Sequence, residues 1–224
     1  MQKKAPISSS EVAQFRADTP GTVDFLHFNS AGSALPPTSV VEIVTTYLHR
    51  EALRGGYRYE AENQAQLSEF YKQAATLLNA GTDEVAFSGS ATHAWRTVFN
   101  GLSFAPGDEI LTSVPEYGSN FLAFLQAQEE FGVTVKTIPD AESGQIDLEK
   151  LAAALSPKTK LVAITHVPSN SGLVQPAAEI GKLTQAHGAL YLLDACQSIG
   201  QVPLDVAEIG CDMLTATGRK YLRG

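Results

Sequence analysis

Short apolar runs that alternate with helical patterns constrain the fold of this chain most strongly. The runs are continuous, which is typical of strands covered on both faces. They are "EVAFSG", "DEILTSV", "TVKTIP", "KLVAITHV", "ALYLLDA" and "DMLTAT". The helical patterns before and between them are "ENQAQLSEFYKQAATLLNA", "ATHAWRTVFNGL", "SNFLAFLQAQEEFG", "DLEKLAAALSP" and "AAEIGKLTQAHG". This order predicts an α/β fold in which a mainly parallel sheet carries helices on both faces.

The first 37 residues do not follow this alternation. They close with the irregular stretch "HFNSAGSALPP", which ends in two consecutive prolines. We therefore expect residues 1–37 to form an N-terminal arm and residues 38–224 to form the large domain.

Charge and composition narrow the classes of partner. Acidic residues outnumber basic ones by 24 to 16, and such a chain repels phosphate backbones, so we expect no nucleic-acid partner. The start lacks the apolar core of a signal peptide and no stretch resembles a membrane span, which predicts a cytoplasmic protein without a membrane partner. Cys196 and Cys211 have neither disulfide-framework nor metal-site spacing, so we expect two small apolar residues and no metal.

Polar residues follow five of the predicted strands, at the edge where open parallel sheets bind ligands. The segments are "SGSATHAW", "VPEYGSN", "PSNSG", "DACQS" and "TGRK". Asp194 is the most informative, because a carboxylate at the end of a buried strand needs a partner, which we expect to be cationic. Together the segments offer a helix start for a phosphate, an aromatic ring, a carboxylate and an amine.

Each of these residues also has an ordinary structural explanation. Ser90 or Thr92 would serve as a helix N-cap, Tyr117 as a packing aromatic, Lys220 as a solvated lysine and His166 as a satisfied core residue. As a set, however, the lysine, the Asp194 carboxylate, the aromatic ring and the helix start match pyridoxal phosphate. That cofactor needs a Schiff-base lysine, an acid for its ring nitrogen and a phosphate site. The sequence motifs for dinucleotides, P-loop nucleotides, zinc proteases and α/β-hydrolases are missing.

From "HFNSAGSALPP" to its last residue, the sequence resembles the class V aminotransferase group of fold-type I pyridoxal-phosphate enzymes. The most specific part is "D-A-x-Q" at Asp194 to Gln197, followed by "TGRK". The segments "GGY" and "EYGSN" are most similar to the branch of isopenicillin-N epimerase and the ergothioneine C–S lyase.

This resemblance implies a role for each matching residue. Lys220 would bind the cofactor covalently and move protons at the alpha carbon of an amino acid, and Asp194 would keep the ring nitrogen protonated. The other implied contacts are Gln197 with the phenolic oxygen, Tyr117 with the ring face, Ala91, Thr92, Thr217 and Arg219 with the phosphate, Ser169 or Asn170 with the cofactor, and Ala31 and Gly32 with the substrate.

Members of this group continue beyond the lysine into further strands and a small domain. That part holds the arginine for the substrate carboxylate and, in desulfurases, a nucleophilic cysteine, which Cys196 and Cys211 do not match. We therefore expect a chain truncated after Lys220 that lacks the C-terminal small domain. An unfinished sheet predicts poor solubility or a tight oligomer.

Three hypotheses follow. The first is a homodimeric pyridoxal-phosphate enzyme that acts on an amino acid by transamination, C–S cleavage or epimerisation. The second is a non-catalytic truncated fragment, or dimerising module, of such an enzyme. The third and weaker one is a nucleotide-dependent doubly wound enzyme, which the fold would allow but for which every glycine motif is missing.

Overall fold

The computed structural model describes residues 6–24 and 26–224, and the chain divides into two units. The first comprises the residues up to 69 together with 218–224, and the second comprises residues 70–217. Residues 1–5 and 25 of the predicted arm lie outside the described residues. The predicted boundary after residue 37 stays a prediction.

The first unit is helical in its described part. Helix α1 begins with a capping box, in which the Ser8 side chain accepts from the Glu11 N–H and the Glu11 carboxylate accepts from the Ser8 N–H at 2.8 Å. As the sequence predicts, residues 27–37 contain neither helix nor strand. The helices are α1 Ser9–Ala17, α2 Thr38–Arg54, α3 Gly56–Glu62 and α4 Gln64–Leu78, which continues into the second unit.

The second unit is built on five parallel strands. In chain order they are β1 Glu109–Ser113, β2 Thr134–Ile138, β3 Thr159–Thr165, β4 Leu190–Asp194 and β5 Met213–Thr215. They lie side by side in the order β2-β1-β3-β4-β5. β1, β3 and β4 are buried along nearly their whole length, as continuous apolar runs predict.

Helices cover both faces of this sheet. Successive β3 residues point to opposite faces, so Leu161 and Ala163 pack in one core and Val162 and Ile164 in the other. The first core includes Trp95, Phe99 and Phe124, and the second includes Leu151 and Ile180. The predicted α/β architecture is therefore confirmed. The helices are α5 Ala91–Asn100, α6 Gly118–Phe131, α7 Leu148–Ala154, α8 Ala177–His187 and α9 Val206–Ile209.

One predicted strand is wrong. A 3₁₀ turn at Thr82–Glu84 ends on the first residue of the segment "EVAFSG", and extended backbone follows, with φ −102° and ψ 128° at Val85. No described strand pairs with this segment, and Phe87 is 70% exposed. A strand is defined by hydrogen bonds to a neighbour, so apolar character alone did not make one here.

Among the described residues, no helix is both long enough and apolar enough to cross a membrane. Within the same ranges, histidine, cysteine and acidic side chains form no cluster of three or more that could hold a metal ion.

Candidate active site

Polar residues end four neighbouring strands at one edge of the sheet. Ser113, Thr165, Asp194 and Thr215 end β1, β3, β4 and β5, and all four are buried. Thr165 pairs with Asp194 in the ladder, and Asp194 pairs with Thr215. Because the strands are parallel, the segments that follow them meet at this edge, as the sequence predicts.

The Asp194 carboxylate is 6% exposed and is held by two neutral donors. Its Oδ1 accepts from the Cys196 N–H at 3.0 Å, and its Oδ2 accepts from Asn120 Nδ2 at 2.9 Å. The turn beyond it is fixed to β5, because the Ala195 N–H donates to the Thr215 carbonyl at 2.7 Å. These bonds stabilise the carboxylate without a full positive charge from either donor.

A second carboxyl group, Glu116, lies on the other side of the Asn120 amide. Its Oε1 accepts from the Tyr117 N–H at 2.8 Å, from Asn120 Nδ2 at 3.0 Å and from the Thr165 hydroxyl. Its Oε2 accepts from the Thr165 N–H at 3.1 Å and from the Thr112 hydroxyl at 3.2 Å. Removal from water raises the pKa of Glu116 to about 7, the hydrogen bonds oppose that shift, and the Asp194 carboxylate adds to it.

In the sequence, Glu116 and Asn120 stand out only as members of the segment "EYGSN". The local signal for this pair is an acid followed four residues later by an amide, across the start of a helix. The contacts to Thr165 and Asp194 bridge 49 and 74 residues of chain, so that signal did not name the partners.

Glu116 should make stability depend on pH in a way that its amide variant does not. Its folded pKa of about 7 exceeds the ordinary 4.5, so the folded state holds the proton more tightly. Wild-type stability should therefore fall as pH rises from about 4.5 to about 7, by about 3 kcal/mol relative to Glu116→Gln. Urea unfolding of both proteins across this range measures the difference. Glu130→Gln on α6 is the matched control, and a constant difference between wild type and Glu116→Gln would contradict the assignment.

Tyr117 and the start of α5 supply the aromatic and helix-start features that the sequence predicts. Tyr117 is the N-cap residue of α6, and its side chain is exposed. Ser90 is the N-cap of α5, because its hydroxyl accepts from the His93 N–H at 3.1 Å. Ala91 and Thr92 form the first turn, where backbone N–H groups lack acceptors within the helix and favour an anion.

The remaining predicted residues of the second unit lie in turns beyond strand ends. Gln197 is buried in the turn after β4, and Thr217 is partly buried two residues beyond β5. Ser169 and Asn170 are both exposed on the turn after β3, which the Gly172 N–H closes by donating to the Pro168 carbonyl at 2.8 Å. Their cofactor contacts stay predictions.

In the first unit, Lys220 is only 7% exposed, so the explanation as a solvated surface lysine is wrong. The neighbouring Arg219 is exposed, and its carbonyl accepts from the Ala34 N–H at 2.9 Å. The Arg223 guanidinium donates to the Leu35 carbonyl at 3.2 Å. These bonds fix the lysine-bearing segment to the irregular stretch.

Ala31 and Gly32 belong to that same irregular stretch. The Gly32 N–H donates to the Asn29 carbonyl and side-chain oxygens, both at 3.1 Å, which closes a tight turn around Ala31. The proposed approach of this turn to a substrate stays a prediction.

His166 and Cys211 lie outside the predicted set of site residues, and burial shifts the pKa of each. His166 is buried, and burial lowers its pKa. Its Nδ1 has no hydrogen-bond partner among the described residues, so it is a core histidine that is not fully satisfied. Burial raises the pKa of Cys211 to about 11, which keeps it a thiol at neutral pH and makes it a poor nucleophile.

Comparison with known proteins identifies the class of protein. The sequence profile of the class-V aminotransferase family matches residues 26–224. The chain therefore belongs to that family, and the family predicted from the sequence is confirmed.

Individual relatives carry more specific names. The probable cysteine desulfurase of Methanothermobacter thermautotrophicus is 34% identical over 212 residues, which are 93% of this chain and 53% of that protein. This chain thus spans about half the length of the curated relatives it matches. The finer placement in the epimerase and ergothioneine-lyase branch stays a prediction.

Solved structures share the fold. The apo cysteine desulfurase of Thermococcus onnurineus NA1 superposes with a TM-score of 0.87 at 27% identity, over 99% of this chain and 56% of that one. C-DES, described as a cystine C–S lyase, has been solved as a mutant with glycine covalently linked to its PLP cofactor. That mutant superposes with a TM-score of 0.86 at 27% identity, over 93% of this chain and 56% of C-DES.

Proposed function

We propose that this chain binds pyridoxal phosphate and belongs to an enzyme that cleaves the carbon–sulfur bond of an amino acid of the cysteine or cystine type. The observation that carries the proposal is the buried Asp194 carboxylate at the carboxyl edge of the sheet, held by neutral donors. Each carboxylate oxygen has more than one acceptor position, so these two hydrogen bonds leave an acceptor site for a cationic ring nitrogen. The names of the similar proteins support the choice of C–S cleavage.

The residues present fit this cofactor. Asp194 would hold the ring nitrogen, the buried Gln197 the phenolic oxygen and Tyr117 the ring face. The first turn of α5, at Ala91 and Thr92, would bind the phosphate through its backbone N–H groups. Lys220 would be the covalent attachment point, and the further expected contacts are Thr217 and Arg219 with the phosphate and Ser169 or Asn170 with the cofactor.

Pyridoxal phosphate, when bound, supplies an electron sink for negative charge at the alpha carbon of the substrate. In this setting Lys220 would take the proton from the alpha carbon as a general base. Asp194 would hold the proton on the ring nitrogen. The electron pair freed at the alpha carbon would form a double bond to the beta carbon as the sulfur leaves with the electron pair of the C–S bond. Ala31 and Gly32 would line the approach of the substrate.

Neither cysteine of this chain is assigned as the sulfur acceptor in C–S cleavage. Burial raises the pKa of Cys211 and keeps it a thiol at neutral pH, and Cys196 does not match the nucleophilic cysteine of desulfurases. Transamination and epimerisation begin with the same proton transfer and would be distinguished by their products. The homodimer and the cytoplasmic location remain predictions of the sequence.

Borohydride trapping tests the proposal. We expect reduction of the chain with pyridoxal phosphate, followed by peptide mapping, to place a pyridoxyl label on Lys220. The label should persist in Lys182→Ala, an exposed lysine of α8, and vanish in Lys220→Ala. Release of sulfide or persulfide from cysteine or cystine would identify C–S cleavage. A folded wild-type chain without label on Lys220 would refute the assignment.

A further inference from the structure

Asn120 joins two carboxyl groups through a single amide nitrogen. Its Nδ2 lies 3.0 Å from Glu116 Oε1 and 2.9 Å from Asp194 Oδ2. A carboxamide nitrogen carries two hydrogens, so it can donate one to each carboxyl group. Asn120 is 2% exposed and lies in the first turn of α6, which fixes its side chain in this bridging position.

The donors around Glu116 fit its ionised form, which predominates above the pKa of about 7 that burial gives this group. Of the five hydrogen bonds, three come from groups that cannot accept a proton, namely the Tyr117 N–H, the Thr165 N–H and the Asn120 amide nitrogen. A charged carboxylate accepts from all five, whereas a protonated one must donate to one of the two threonine hydroxyls. Hydrogen bonds to the charged form favour it.

We propose that Glu116 is a positioning residue that acts through Asn120, fixing the Asp194 carboxylate and placing a second negative charge behind it. This inference rests on the proposed function, because Asp194 is there the partner of the ring nitrogen. A second nearby anion favours the protonated ring nitrogen, since a cation gains from each negative charge in a water-poor site. Glu116 would thus strengthen the electron sink without touching the cofactor.

The groups around Glu116 leave few competing titrations. Strands β1 and β3 present the hydroxyls of Thr112 and Thr165, and α6 presents the Asn120 amide. From β4, Asp194 is the charged group that acts on Glu116. Tyr117 contributes its backbone N–H to the carboxyl group. A difference between wild type and a Glu116 variant in the pH at which the ring nitrogen loses its proton would therefore report on this carboxyl group.

The experiment uses pyridoxamine phosphate labelled with ¹⁵N at the ring nitrogen. This ligand has an amine in place of the aldehyde, so it cannot form a Schiff base with Lys220 and reads Asp194 separately. The ¹⁵N chemical shift, followed against pH, gives the pH at which the bound ring loses its proton. We expect that midpoint to fall by about one pH unit in Glu116→Gln and to stay near wild type in Glu116→Asp, which keeps the charge.

Asn120→Ala tests the connection and serves if Glu116→Gln does not fold. We expect it to weaken pyridoxamine phosphate binding about tenfold, while Ser119→Ala, the neighbouring control, stays within about twofold of wild type. The loss of affinity for pyridoxamine phosphate in the Glu116→Gln, Asn120→Ala double variant should be smaller than the sum of the losses in the two single variants. Both substitutions act on Asp194 through the same amide. Binding by all variants with an unchanged ring titration and affinity would overturn this inference alone. Failure of the wild-type chain to bind would overturn the proposed function, and this inference with it.

Discussion

Replacing Asp194 by asparagine should weaken pyridoxal phosphate binding at least about tenfold and slow the proposed C–S cleavage about a thousandfold. Opposite charges about 4 Å apart near a protein surface attract with about 4 kcal/mol at an effective dielectric constant near 20. A loss of that size corresponds to a rate factor of about a thousand. Titration of the cofactor's visible absorbance and assay of released sulfur measure the two effects.

The loss of the Asp194 charge must be distinguished from the loss of folding stability. Asparagine cannot accept at both of the positions that receive the Cys196 N–H and Asn120 Nδ2, so we also expect about 1–3 kcal/mol of lost stability. Asp205→Asn is the matched control, because it removes one charge from the same unit and also costs one donor, Asn79 Nδ2, its acceptor, while asparagine still caps α9. A folded Asp194→Asn variant with wild-type affinity and turnover would remove Asp194 from the proposed mechanism.

The second large effect concerns the packing of α8 against α9. An added Cβ at Gly181 would overlap the carbonyl oxygen of Ile209, a backbone atom that no side-chain rotation can move aside. We expect Gly181→Ala to lower the free energy of unfolding by about 3 kcal/mol or more, at the upper end for overpacking. Urea unfolding of the chain measures the loss.

Gly118→Ala provides the comparison for this substitution. Gly118 begins α6, and an added Cβ there would meet nothing within 4 Å. Because alanine is the better helix former, we expect this variant to be neutral or up to about 1 kcal/mol more stable. Equal stability of the two alanine variants would show that α8 and α9 separate without penalty.

Local patterns predicted most of the second unit. The continuous runs of β1, β3 and β4 and the helices from α5 to α8 lie where the sequence indicates them, and α6 and α8 end at Gly132 and Gly188, whose φ values are 69° and 77°. The segment at Val85 shows the limit of such patterns, because its apolar residues are extended but unpaired within the described chain. Pairing depends on a neighbour that no local pattern specifies.

The sequence by itself determined the parallel sheet, the family, and Asp194 as the carboxylate at the end of a buried strand. Only the tertiary structure showed that Asn120, 74 residues earlier, holds this carboxylate and joins it to Glu116. The reason lies in the strand order, which places β3 between β1 and β4. The residues after β1 thereby reach Thr165 at the end of β3 and Asp194 at the end of β4. Local periodicity predicts which apolar side chains are buried, whereas hydrogen bonds between strand ends depend on which strands become neighbours.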